Sequence, residues 1–324
     1  MAKNTVFFIV GPTACGKTDA AVSAALALDG EVVSADSIQI YRGLDKGSAK
    51  PTEEEKRGVP HHMIDVVDRF EEDYNVARFA SDAAKCIDDI SSRGKTPIVA
   101  GGTGLYLNSL LYPLDFTEVL PDRELRERLA NEEASSPGCL YERLREADPV
   151  SAERLHPNDI KRIVRALEVY ELTGKSLTDH GGDFLNDRER EIGFEPVIAG
   201  ITMERSRLYD RINKRVEIML SNGLEEEAKS LWLASGKKPK LALQAIGYRQ
   251  FIAYFEGEAT HDETVEIIKR ETRRFAKRQI AWFKRDKRIR WFDADVFADR
   301  AELHQAIITY FKEERDRIER TDKT

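Results

Sequence analysis

The stretch Val6-Phe7-Phe8-Ile9-Val10-Gly11-Pro12-Thr13-Ala14-Cys15-Gly16-Lys17-Thr18 decides the fold. Its first five residues form a continuous apolar run, as a strand buried on both faces requires. Gly11 to Thr18 has the spacing G-x-x-x-x-G-K-T, and the alanine-rich run Asp19 to Leu28 follows as a helix. Strand, glycine loop and helix in that order make a phosphate-binding loop. The glycines let consecutive N–H groups turn inward, and the helix N-terminus adds partial positive charge. Gly11, Pro12, Thr13, Ala14, Cys15, Gly16, Lys17 and Thr18 are therefore the candidate phosphate cradle. Lys17 supplies a cation and Thr18 a hydroxyl suited to Mg²⁺. The loop calls for a di- or triphosphate and does not by itself say whether that phosphate belongs to a nucleotide.

Around this stretch lie 324 residues, 41% apolar and 34% charged, enough for two lobes with heavily charged surfaces. The apolar runs are strand- or helix-sized and short of a membrane span, so no membrane partner is expected. The first strand starts within six residues of the N-terminus, which leaves no room for a targeting segment. Cys15, Cys86 and Cys139 are odd in number and far apart, so neither a disulfide framework nor a zinc site is expected, and a cytoplasmic location is. The net charge of −7 argues globally against nucleic acid, but the average hides a contrast. Lys269 to Arg290 holds eleven Lys or Arg against two acids, a net +9, which leaves −16 for the remainder.

Glu31-Val32-Val33-Ser34 reads as a second buried strand, running into Asp36, Ser37, Ile38 and Gln39. Ligands of an open parallel sheet sit beyond the carboxyl ends of its strands, so Asp36 shares an edge with the phosphate loop. The second reading of the same carboxylate is a helix cap or a water-mediated hold on Mg²⁺. Tyr41 to Pro51 reads as a surface loop, and His61 to Asp65 as a short strand whose adjacent histidines make poor co-ligands. Pro97-Ile98-Val99-Ala100 is the next strand, followed by Gly101-Gly102-Thr103-Gly104 and a helix. A nucleotide hydrolase commonly ends such a strand in an Asp that helps hold Mg²⁺; here glycines allow close substrate approach and Thr103 offers one hydroxyl.

From Thr117 to Arg190 β-branched runs vanish and helix formers dominate, so an all-helical insertion over 117–190 is expected. Asp159 and Gly174 would cap its last helix, with Leu114 to Phe116 and Gly181 to Asn186 as hinges. The flanking segments, 1–116 and 191–324, then make one α/β core: a P-loop NTPase-like parallel sheet flanked by helices. Glu195 to Thr202 restores a strand, and Arg211, Lys214 and Arg215 ride on the helix after it. In the helix from Thr264, basic pairs recur every four residues, a stripe that drifts only about 40° per step. Phe275, Trp282 and Phe283 interleave with it, a pattern that suits contact with a nucleic-acid backbone.

At this point the chain resembles the tRNA dimethylallyltransferases in their bacterial form. The resemblance spans roughly residues 5–292 and rests on GPTACGKT at Gly11–Thr18, ADSIQIYRGLDKGSAKP at Ala35–Pro51 and AGGTGLYL at Ala100–Leu107. HPNDIKRIVRALEVYELTGK at His156–Lys175, AIGYRQ at Ala245–Gln250 and KRQIAWFKRD at Lys277–Asp286 complete it. Cys15 stands where the family usually has Ser, and Ser48 where it has Thr; a thiol at a helix N-terminus opens redox sensitivity there. The zinc finger of eukaryotic members has no counterpart.

The resemblance implies transfer of a dimethylallyl group from dimethylallyl diphosphate to the exocyclic amine of the adenosine just 3′ of the anticodon in tRNA. It implies Asp36 as base, Thr103 holding the adenine, and Lys17 with Arg211 or Arg215 on the diphosphate, with Mg²⁺ at Thr18. It also implies tRNA contacts from Asp36, Ser37, Ile38, Gln39 and Thr103 near the target base. Lys161, Arg162, Ile163, Val164 and Arg165 would meet the anticodon stem-loop. Gln244, Ala245, Ile246, Gly247, Tyr248 and Arg249 would follow the backbone and neighbouring bases. So would Lys277, Arg278, Gln279, Ile280, Ala281, Trp282, Phe283 and Lys284. A monomer with no obligate protein partner is expected. Two other readings use the phosphate loop: a prenyltransferase acting on free adenine nucleotide, and a P-loop small-molecule kinase.

Overall fold

The computed structural model describes residues 4–112, 122–176, 192–237 and 242–321. The chain divides into two compact units, one of Met1–Leu111 with Gly193–Thr324 and one of Tyr112–Ile192. The boundaries expected at 116/117 and 190/191, and both expected hinges, lie outside the described residues.

The first unit is built on six strands: β1 (Asn4–Val10), β2 (Gly30–Ala35), β3 (His61–His62), β4 (Thr96–Gly101), β5 (Phe194–Thr202) and β6 (Arg290–Asp293). They lie in the order β3-β2-β4-β1-β5-β6, and every pairing is parallel. Helices cover the sheet, which is why β1 is apolar without alternation and Val6 to Val10 are all buried. Phe7 and Ile9 pack with Ala20, Ala21, Ala24 and Ala25 of the helix Lys17–Leu28 and with the helix Arg300–Thr321. The rings of Phe7 and Phe311 stack at 4.5 Å. The small alanines let the phosphate-loop helix lie close against the sheet. Phe79 of the helix Val76–Ser92 stacks on Tyr106 of the helix Gly104–Leu111 at 3.9 Å.

Register places the site. Val10 pairs with Gly101, and Ala35 pairs with the same Gly101. Strands β2, β4 and β1 therefore end level, and Asp36, Gly102 and Gly11 leave the sheet side by side at its carboxyl edge.

Three local expectations change. Tyr41 to Pro51 is a string of turns exposed at Arg42, Gly43, Asp45 and Lys46 but anchored to the protein: Tyr41 and Leu44 are buried, and Arg42 N–H donates to the Val67 carbonyl at 2.8 Å. Asp159 stands at the cap position of the helix Ile160–Thr173 without capping it, since Arg162 one turn on takes its carboxylate at 2.8 Å. Gly101 is glycine for packing: a Cβ there would sit 2.3 Å from the Ala35 carbonyl oxygen, so an Asp cannot stand at this strand end.

The second unit is helical, with Arg123–Ser135, Cys139–Ala147, Pro149–Arg154 and Ile160–Thr173 around a core that includes Leu129, Leu140, Leu144 and Leu167. Glu168 is wholly buried there and neutralised by Arg126 at 2.7 and 2.8 Å and Arg165 at 2.5 Å.

Candidate active site

The phosphate loop leaves β1 and reverses into the helix Lys17–Leu28 through Gly16, whose φ of 103° is a left-handed conformation suited to glycine. Ala14 also has positive φ, 64°, at a cost of about 1–2 kcal/mol for a residue with a Cβ. Its carbonyl is held by Arg211 Nε at 2.8 Å. Cys15 is buried at 3% exposure, packed in the turn behind the loop. Lys17 Nζ donates to the Pro12 carbonyl at 2.7 Å, and Thr18 is exposed at the first turn of the helix.

A cavity of about 470 Å³ opens over this loop. On one side stand Lys17, Thr18, Arg211 and Arg215; on another, Asp36, Gln39 and the Ser48–Ala49 backbone; Gly101, Gly102, Gln279 and Phe275 close it. Arg57 and Arg300, which sequence reasoning passed over, also line it. Neither carries a local pattern that would have marked it.

Electrostatics give the cavity its character. Among the described residues Arg215 reaches only the Ala49 carbonyl, at 3.4 Å, and Arg211 only that of Ala14. Among the described residues neither guanidinium nor Lys17 has a carboxylate partner. Burial pushes all three below their ordinary pKa values; for Lys17 the neighbouring Arg215 adds to this, while Cys15 and Asp36 oppose it. Arginine remains charged regardless. Partly desolvated cations without a carboxylate partner are costly until an anion arrives, so the side of the cavity that holds Lys17, Arg211 and Arg215 suits an anion.

Asp36 Oδ1 accepts the N–H groups of Ile38 at 2.9 Å and Gln39 at 3.3 Å, and so caps the turn after β2. Among the described residues Oδ2 accepts none. Thr103 joins this turn: its Oγ1 accepts the Ser37 N–H at 3.1 Å. Gln39 Oε1 accepts the Ser34 hydroxyl at 3.0 Å. The carboxylate and the cations thus come together around one cavity, and Thr103 is tied to the turn that carries the carboxylate.

The remaining expected RNA contacts are placed unevenly. On the helix His261–Phe283, Lys277, Arg278 and Ala281 are exposed, as is Lys284 just beyond it; Ile280 is partly covered, and Gln279 and Phe283 are buried. Trp282 lies over Gly104, where a Cβ would come within 2.4 Å of the indole. Phe275 lines the cavity. The interleaved aromatics therefore face the protein, and only the basic side chains form the outer stripe. Gln244 and Arg249 are exposed, Ala245 and Ile246 partly covered, and Gly247 and Tyr248 buried. In the helical unit Lys161 and Arg162 are exposed, while Ile163 and Val164 belong to the core and Arg165 pairs with Glu168. No helix among the described residues is long and apolar enough to cross a membrane.

Comparison with known proteins shows the family. A family model described as IPP transferase matches residues 39–286, and one described as isopentenyl transferase matches residues 4–73. The tRNA dimethylallyltransferase of Acetivibrio thermocellus is 47% identical over 296 residues, covering 91% of this chain and 93% of that protein. That of Clostridioides difficile is 44% identical over 314 residues, covering 97% and 99%. The crystal structure of a full-length tRNA isopentenylpyrophosphate transferase from Bacillus halodurans superposes with a TM-score of 0.74 at 38% identity, covering 99% of this chain and all of that one. A eukaryotic dimethylallyltransferase acting on tRNA gives a TM-score of 0.74 at 30% identity, covering 90% and 74%. The chain belongs to the IPP transferase family, the tRNA dimethylallyltransferases.

Proposed function

We propose that this chain transfers the dimethylallyl group of dimethylallyl diphosphate to the exocyclic N6 amine of the adenosine 3′-adjacent to the anticodon in tRNA, releasing diphosphate. The observation that carries this is the convergence of Lys17, Arg211 and Arg215, cations with no described carboxylate partner, with Asp36 on one cavity. A cradle for a departing diphosphate needs the first three, and an attacking amine needs the fourth.

The target base leaves its stack to enter the cavity. Thr103 and the Ser37–Gln39 turn hold the adenine. The allylic C–O bond breaks with its electron pair going to the diphosphate, and the N6 lone pair forms the new C–N bond. Lys17, Arg211, Arg215 and the loop N–H groups meet the negative charge as it grows. The amine becomes acidic as it attacks, and its proton passes to Asp36. The exposed Thr18 hydroxyl takes no described hydrogen bond, and among the described residues no trio of His, Cys, Asp or Glu forms a metal cage. Those features fit Mg²⁺, which Thr18 would help hold and which would supply positive charge to the leaving diphosphate. The basic face of the helix His261–Phe283 and the exposed Lys161 and Arg162 track the RNA backbone, the helical unit serving the anticodon stem-loop. The protein works as a cytoplasmic monomer.

Labelled dimethylallyl diphosphate incubated with unmodified tRNA, followed by nucleoside mass analysis, tests the reading. The expected product is N6-prenylated adenosine, formed without ATP. Transfer to free adenine nucleotide but not tRNA would replace the acceptor, and phosphoryl transfer from ATP would replace the reaction. Asp36→Asn separates the two roles of Asp36, since the amide oxygen still caps the turn but takes no proton. Turnover is expected to fall at least about 100-fold with pyrophosphate binding kept; near-normal turnover removes Asp36 from the base role.

A further inference from the structure

The lining of the active cavity is almost entirely polar or small. Its apolar contributions are Ala14, Ala49, Pro51, Ala100 and one large side chain, Phe275. Phe275 sits four residues before Gln279 on the helix His261–Phe283, hence on nearly the same face and about 6 Å along the axis. Gln279 in turn bridges the phosphate loop and the Gly101–Gly104 loop, bonding Thr13 N–H and the Gly102 carbonyl at 2.8 Å each. The ring therefore stands next to the seam between the loop that holds the leaving group and the loop that carries Thr103. A donor whose diphosphate lies in one and whose carbon meets an amine beside the other must lay its hydrocarbon across that seam.

We infer that Phe275 is the wall that receives the hydrocarbon of the donor, limiting it to five carbons, and that its ring faces the allylic fragment as positive charge develops there. This rests on the transfer reaction proposed above. A five-carbon group needs an apolar surface in an otherwise polar cavity, and among the described residues no other lining side chain offers one of that size. The face of a phenyl ring attracts a cation without supplying a nucleophile that would capture it, which a carboxylate or water would do. The ring already lies 5.7 Å from the Arg278 guanidinium, so one cation is drawn to it within the protein.

The test compares dimethylallyl diphosphate with its ten-carbon homologue, geranyl diphosphate, using unmodified tRNA and the full chain. In Phe275→Ala the ratio of kcat/KM for the ten-carbon over the five-carbon donor is expected to rise at least about tenfold, with pyrophosphate affinity unchanged. In Phe275→Leu the length preference stays while kcat for the five-carbon donor falls about tenfold, and Phe275→Tyr recovers it. An unchanged ratio in Phe275→Ala overturns the wall, and so does an effect confined to KM for tRNA, which would place the ring against RNA. Wild-type kcat in Phe275→Leu overturns the cation role. Should Phe275→Ala lose pyrophosphate binding through misfolding, the ratio is read in Phe275→Val with the same two outcomes. Failure of the underlying reaction has its own signature, wild-type protein that moves no five-carbon group to tRNA, and it overturns both.

Discussion

Gln279 and Thr13 are 266 residues apart and share a 2.8 Å hydrogen bond, the Thr13 N–H donating to Gln279 Oε1. The amide's other end donates to the Gly102 carbonyl at 2.8 Å. A Cβ on Gly102 would lie 2.3 Å from Gln279 Nε2, so that glycine admits the glutamine. The basic helix is thus fastened by a buried side chain both to the phosphate loop and to the Gly101–Gly104 loop.

Gln279→Ala leaves a loop N–H and a carbonyl without partners, and stability is expected to fall by about 2 kcal/mol. Diphosphate affinity falls with it, because the loop donors are no longer held in register. Gln279→Glu keeps the acceptor for Thr13 but sets a carboxylate oxygen against the Gly102 carbonyl, so it does not rescue. Denaturant unfolding and pyrophosphate titration on the two variants check this; full affinity in Gln279→Ala would show the loop holding itself.

Among the described residues Arg215 bonds only the Ala49 carbonyl, and burial already disfavours its charge. In the proposed reaction its worth lies in the diphosphate. Arg215→Leu is expected to weaken pyrophosphate binding about 10–100-fold, the loss of one charge-assisted hydrogen bond. The ligand-free protein gains ~0.5–1 kcal/mol, because a poorly compensated cation is gone. Thermal unfolding with and without pyrophosphate reads both signs, and a destabilised ligand-free variant would assign Arg215 to the scaffold.

Glu227 holds the segment that receives Arg215. Its carboxylate accepts the N–H groups of Asp45 at 2.8 Å, Lys46 at 3.0 Å and Gly47 at 3.1 Å, and the Tyr248 hydroxyl at 2.6 Å. A Cβ on Gly47 would meet the Tyr248 ring at 2.4 Å. Glu227→Ala frees the segment, so KM for the donor is expected to rise about tenfold while kcat changes less. Tyr248→Phe, losing one hydrogen bond, costs about 1 kcal/mol of stability. Steady-state kinetics with dimethylallyl diphosphate separate the two, and an unmoved KM in Glu227→Ala would leave Glu227 a surface anchor.

What was legible in the chain was whatever is local. An apolar run followed by GPTACGKT, and another followed by GGTG, announce β1, β4 and their loops, because strand period and turn chemistry act over a few residues. Asp36 was placed by the rule that ligands meet the carboxyl edge, and the level ends of β2, β4 and β1 bear that geometry out. What stayed hidden depends on partners far along the chain. Gly101, Gly102 and Gly104 read as room for substrate; Gly101 and Gly102 do line the cavity, but the space a side chain would take at each of the three is filled by Ala35, Gln279 and Trp282. The turns from Tyr41 read as surface because their anchor, Glu227, is 180 or more residues away. Phe275 read as one member of a stripe because helical spacing gives its angle and not its neighbour.

The opposite edge of the sheet carries an acid-sensitive lock. Glu31, at the start of β2, is buried against Arg93 at 2.5 and 2.8 Å and His62 at 2.7 Å. The Arg93 hydrogen bonds, opposed by burial and aided by His62, lower its pKa from 4.5 to about 2. Between those values the unfolded chain binds the proton that the folded chain refuses. The stabilisation is therefore complete above pH 4.5 and is lost as pH falls from there through 2. Arg93 is partly exposed, which trims the gain to about 2 kcal/mol. Glu31→Gln keeps the shape without the titration. Urea unfolding from pH 6 down to the lowest pH at which the protein stays folded should show the wild type losing its advantage over Glu31→Gln below pH 4.5. Two curves that stay parallel across that window would place the acid sensitivity elsewhere.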